Sequence, residues 1–128
     1  MIPVREVEQI QKALIDTFGG VHGIRDRNSL LSALSRPFQK FDNKELYPGI
    51  TDKAAALVES IITNHPFIDG NKRTGYVTMR LFLLTNGFDI YSSQEDKYQF
   101  VMDIASGKFR FEEILEWLNK NTRQKHPG

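Results

Sequence analysis

The chain has 128 residues, room for a single hydrophobic core, and carries 17 basic against 16 acidic side chains for a net charge of +1. A charge this balanced argues against direct binding to a nucleic-acid backbone, and the absence of cysteine removes disulfides, thiolate metal sites and a cysteine nucleophile. Apolar runs such as Leu81-Phe82-Leu83-Leu84 are far short of the roughly 20 residues that span a bilayer, and Met1 to Glu8 has no signal-peptide core, so a cytoplasmic protein is expected.

In chain order, Val4, Val7, Ile10, Leu14 and Phe18 recur at steps of three and four, predicting a first helix entered through Pro3 and stopped at Gly19-Gly20. A shorter helix is predicted from about Asn28 to Ser35, with Leu30, Leu31 and Leu34 inward and Pro37 beyond its end. Pro37 to Ile50 reads as a long irregular loop carrying Phe38, Phe41 and Tyr47. Those aromatics suit packing slightly better than docking of a target. Arg25 and Arg27 read as solvent-facing loop charges.

Thr51 is the expected N-cap of the next helix, with Asp52 at the positive end of its dipole. Ala54, Ala55, Leu57, Val58, Ile61 and Ile62 cover more than one of its faces, so this helix is expected to be buried, ending at His65-Pro66. A second strong helix should run from about Lys72 to Thr85, apolar at Val77, Leu81 and Leu84 with Phe82 and Leu83 widening the stripe, and close at Asn86-Gly87. Phe88 to Tyr91 suits a short extended piece, and Ser93 with Asp96 opens a helix through Ala105 that Gly107 ends. The last helix spans about Phe111 to Asn121 on Ile114, Leu115 and Leu118, followed by a polar, frayed tail over residues 122–128. The expected fold is all-α: one domain over residues 1–121, about six helices, with a loop between the two central buried ones.

That loop reads His65-Pro66-Phe67-Ile68-Asp69-Gly70-Asn71-Lys72-Arg73 and concentrates the chemistry. Neutral His65 can accept a proton from a hydroxyl near pH 7. Asp69 can hold Mg²⁺, which favours one or two carboxylates plus substrate phosphates. Gly70 permits a tight turn. Asn71, Lys72 and Arg73 open a helix whose free N–H groups and dipole favour an anion, to which the two cations add full charges. A base beside such a cradle is equipment for phosphoryl or nucleotidyl transfer. Taken singly these residues have plainer roles: a helix cap for His65, turn and cap residues for Asp69 and Asn71, solvated charges for Lys72 and Arg73. Their combination in this order favours a site. Tyr76 and Arg80 share the face of Arg73 and could extend the site or merely line a polar groove. His22 and His126 lack the spacing of a zinc site.

The string resembles the Fic/Doc motif, and Asn71-Lys72-Arg73-Thr74 is similar to the Doc (death-on-curing) branch, a likeness that continues through Leu81-Phe82-Leu83 and Asn86-Gly87. The resemblance implies the following roles. His65 is the general base, Asp69 positions the metal ion, Gly70 to Arg73 receive phosphates, and Phe67 anchors the loop in the core. It further implies a toxin that uses Mg²⁺ and ATP to phosphorylate a protein hydroxyl, on translation elongation factor Tu, under restraint by a small antitoxin. Transfer of AMP to a protein, as in Fic enzymes, is the alternative, and a non-catalytic peptide-binding module is a second one. Lys72 stands where AMP-transferring relatives have glycine and Tyr76 where they have a second arginine; both departures favour the kinase. The family's inhibitory helix sequence is not found in this chain.

Overall fold

A computed structural model describes residues 1–125 and places six α-helices among them, so the fold is all-α as expected. Its centre is α3 (Ile50–Asn64), in which every residue from Lys53 to Ile62 is buried. Helices α2 (Arg27–Ser35), α4 (Asn71–Thr85), α5 (Gln94–Ala105) and α6 (Phe111–Asn121) pack against it, and α1 (Val4–Phe18) packs mainly on α4. Gly49 rather than Thr51 caps α3. The Asp52 carboxylate accepts from the Gly49 N–H at 2.9 Å, while the Thr51 hydroxyl donates to Asn119 Oδ1 at 2.8 Å and ties α3 to α6.

The polar residues inside α3 are matched by the segment that precedes it. Arg36 opens a short 3₁₀ turn (Arg36–Phe38) and reaches Glu59 Oε1 at 2.8 Å, Ser60 Oγ at 2.9 Å and the Tyr47 hydroxyl at 3.0 Å. Lys53 pairs with Glu45 at 3.0 Å and donates to the Tyr47 carbonyl. Residues 37–50 are therefore not an irregular loop. Lys40–Phe41 (β1) and Lys44–Glu45 (β2) form an antiparallel hairpin over Asp42 and Asn43, whose positive φ values of 53° and 64° fit a two-residue turn matched to strand twist. The three aromatics divide: Phe38 meets Phe82 edge-on, Tyr47 packs on Phe111, and Phe41 is exposed.

Two helices are rotated from the faces their apolar periodicity suggests. On α1 the buried residues are Val7, Gln11 and Ile15, with Ile10 and Leu14 half-buried and Phe18 57% exposed. On α4 the buried face is Thr74, Gly75, Thr78, Met79, Phe82 and Leu83, leaving Leu81 43% exposed. Small residues let α4 approach α3 closely: a Cβ on Gly75 would lie 2.8 Å from Ile62 Cγ1. On α2, Leu30, Ala33 and Leu34 face inward while Leu31 is exposed.

Phe88–Ile90 is a strand (β3), and Thr122–Gln124, expected in a frayed tail, is its partner β4. Phe88 pairs with Gln124, Asp89 with Arg123 and Ile90 with Thr122. Backbone bonding to β3 is what orders this polar stretch. The remainder of the expected tail, including His126, lies outside the described residues. No helix among those described is long and apolar enough to cross a membrane.

Candidate active site

The loop between α3 and α4 is held mainly by its backbone. His65 ends α3 in the left-handed region (φ 50°, ψ 55°), a strained state for a residue with a Cβ. Arg25 supports it, donating from Nε to the His65 carbonyl at 2.6 Å and from Nη2 to the Asn64 carbonyl at 2.9 Å. Arg25 is exposed, as expected of a solvent-facing loop charge, and also sets a cation on the negative end of α3. The N–H groups of Arg25 and Asp26 both reach the Pro66 carbonyl, and Ile68 N–H reaches Gly23 O, so the chain before α2 braces the loop from outside.

Phe67 is 1% exposed. Across it, the Asn71 side chain accepts from Phe67 N–H at 2.9 Å and donates to Phe67 O at 3.0 Å. Asn71, named above as a phosphate ligand, therefore has its amide committed to the loop, leaving its backbone N–H for an anion. Gly70 stands before α4 at φ 74°, and a Cβ there would lie 3.1 Å from Ile15 Cδ1. The first bond within α4 runs from Thr74 N–H to Gly70 O, and no side chain among the described residues caps the helix. The N–H groups of Asn71, Lys72 and Arg73 precede it and are free to meet an anion.

The Asp69 carboxylate accepts from Gly70 N–H at 3.0 Å and from Val21 N–H at 3.3 Å. A Cβ on Gly20 would come within 2.8 Å of Asp69 Oδ2, so a glycine is required where the chain passes the carboxylate at φ 117°. Gln11, buried on α1, donates to the Asp69 carbonyl at 3.1 Å and to the Val21 carbonyl at 3.2 Å. The sequence offered one faint signal for Gln11, a polar side chain next to the apolar stripe.

His65, Asp69, Gly70, Asn71, Lys72 and Arg73 all line one cleft of about 870 Å³ between α1, the start of α4 and α5. Leu14 and Phe18 contribute from α1, Lys97, Tyr98 and Met102 from α5. The α5 residues escaped the sequence reading because they lie far along the chain and carry no motif. His65 is exposed and its ring makes no hydrogen bond among the described residues, so both nitrogens are open to a ligand. Lys72 and Arg73 are exposed and in no ion pair among those residues; the Arg73 guanidinium lies 4.2 Å over the Phe18 ring.

Tyr76 also lines the cleft, whereas Arg80 is turned away by a two-pronged bond to Asp89 at 3.0 and 3.2 Å. Burial pushes the Tyr76 phenol pKa above its usual value, and its hydroxyl has no hydrogen-bond partner among the described residues. Of the remaining histidines, exposed His22 pairs with Asp16 at 2.7 Å. Among the described residues no group of three or more His, Cys, Asp and Glu could hold a metal. Among the described residues, Asp69 is the one carboxylate lining the cleft, next to a helix start with free N–H groups. That donor set suits an ion that keeps its waters and shares phosphate oxygens, as Mg²⁺ does, and does not suit an all-protein cage.

A family model described as the Fic/DOC family matches residues 2–83, well over half of the chain. The chain belongs to the Fic/DOC family. The family match runs from α1 into α4 and includes the whole of the loop, whereas α5 and α6 lie beyond it. Toxin Doc of Mycolicibacterium smegmatis is 41% identical over 73 residues, a stretch covering 57% of this chain and 56% of that relative. The match thus spans little more than half the length of either protein.

Proposed function

We propose that this Fic/DOC protein is a Doc-like toxin that transfers the γ-phosphate of Mg·ATP to a Ser or Thr hydroxyl of a protein. The observation carrying it is one cleft in which His65 shares space with a helix start and two cations, Lys72 and Arg73, that have no cap and no ion pair among the described residues. The triphosphate binds over the free N–H groups of Asn71 to Arg73. Lys72 supplies a point charge and Arg73 a planar fork of donors. Asp69 would hold the Mg²⁺ that arrives with the nucleotide, an ion that neutralises charge on the phosphates when bound. His65 takes the proton of the target hydroxyl as that oxygen bonds to the γ-phosphorus. The bond from the γ-phosphorus to the oxygen bridging it to the β-phosphate breaks, and ADP leaves.

Lysine at position 72 and tyrosine at 76 support phosphate over AMP transfer, since a second arginine fork is missing from the cleft. The family resemblance points to elongation factor Tu as target, to a small antitoxin as restraint and to action in the cytoplasm. The test is label transfer to lysate proteins from ATP labelled at the γ- or the α-phosphate, with His65→Ala as control. Transfer from the γ position alone, lost in His65→Ala, is expected. Transfer from the α position alone would make the protein an adenylyltransferase. No transfer from either, with a peptide partner still bound, would leave a non-catalytic module.

A further inference from the structure

Phe18 ends α1 as a large apolar side chain left 57% exposed, at a position where the apolar stripe called for burial. What it meets is Arg73: Cζ of the guanidinium lies 4.2 Å from the ring centroid, and both side chains line the cleft. The preceding turns of α1 make parallel contacts. Gln11 holds the Asp69 carbonyl, and the Ile15 side chain fills the space beside Gly70. At steps of four and three, Gln11, Ile15 and Phe18 share one face of α1 and meet Asp69, Gly70 and Arg73 in the same order.

The geometry points to Phe18 as a positioning residue that preorganises Arg73 for a phosphate oxyanion. An arginine side chain has large rotamer freedom, which a ligand must otherwise restrict on binding. A ring this close covers one side of the guanidinium by cation–π attraction and leaves donors at its edge free, the part that engages two oxygens at once. Lysine cannot use such a platform in the same way, which gives the adjacent Lys72 and Arg73 different duties. The inference rests on the reading of the cleft as a phosphate site, but not on which phosphate moves.

The test is a double-mutant cycle on the full chain, read as calorimetric binding of inorganic tripolyphosphate to wild type, Phe18→Leu, Arg73→Ala and the double variant. Phe18→Leu is expected to weaken binding about two- to fivefold, the worth of an exposed cation–π contact. Phe18→Tyr should bind like wild type, and Phe18→Leu should add nothing once Arg73 is alanine. Unchanged melting temperatures would show that the exposed ring is not acting through stability. An equal loss in both backgrounds, or no loss in either, overturns the role. So does failure of wild type to bind tripolyphosphate. Coupled binding in a protein that transfers no label from ATP would instead sink the proposed reaction and leave Phe18 in its role.

Discussion

His65 occupies a backbone conformation that glycine or asparagine usually takes at a helix end. Keeping a histidine there costs about 1 kcal/mol, tolerated because Arg25 binds the carbonyls of residues 64 and 65. His65→Gly should therefore leave stability unchanged or raise it by up to about 1 kcal/mol, while the proposed transfer falls about 10²- to 10⁴-fold if His65 is its base. Thermal melts followed by fluorescence of Trp117, the single tryptophan, set beside the label-transfer rate, check both halves. A matching loss of stability would mean that the imidazole has a packing role its exposure conceals. The loop's own residues were legible because a tight turn keeps chain neighbours together in space. Gln11, 58 residues from Asp69, and Arg25, 40 residues from His65, were not, because their partners exist only once α1 and the chain before α2 close over the loop.

At the scale of elements, α4 is aimed by its contact with α3. Gly75 costs α4 about 1 kcal/mol of helix propensity relative to alanine, yet it lies where α3 leaves too little room for a Cβ. Gly75→Ala would regain that propensity but set a methyl 2.8 Å from Ile62 Cγ1 and 3.3 Å from Ile61 Cγ2. Overpacking a close helix contact outweighs propensity, so a net loss of about 1–2 kcal/mol is expected in urea unfolding. Ile62→Ala, which removes Cγ1, should cost less in the Gly75→Ala chain than in wild type. A stabilised Gly75→Ala would show that α3 has room to move. The periodicity of α1 and α4 fixed their length well and their orientation poorly. Leu81 and Phe18 look as apolar as residues that are buried, and only close packing through Gly75 and the bonds of Gln11 decide which side turns inward.

At the scale of the molecule, β4 returns to β3, and the Arg80–Asp89 pair joins β3 to α4. Arg80, helped by the Ile90 N–H, holds the Asp89 carboxyl below the usual carboxylate range. A carboxylate whose folded pKa is lowered adds stability above its unfolded pKa near 3.9, and this is lost as pH falls through the lower folded value. Asp89→Asn should therefore destabilise the protein at pH 7, by less than about 1 kcal/mol because Arg80 is half exposed. The gap to wild type should close as pH drops below about 4, once the wild-type carboxyl is protonated in both states. Melting temperatures from pH 2 to 7 test this, and a gap that persists at pH 2 would count against the pair.

By itself the sequence determined that the chain is helical, where most helices begin and end, and that a histidine, a carboxylate and two cations crowd together between His65 and Arg73. Those are local properties, set by side-chain spacing, capping and the conformations open to glycine and proline. Only the tertiary structure decided which faces turn inward, that Asp42-Asn43 closes a hairpin, that residues 122–124 pair as a strand, and that α1 and α5 wall the cleft. These depend on contacts between residues far apart in the chain, where hydrogen bonds and close packing override the local apolar pattern.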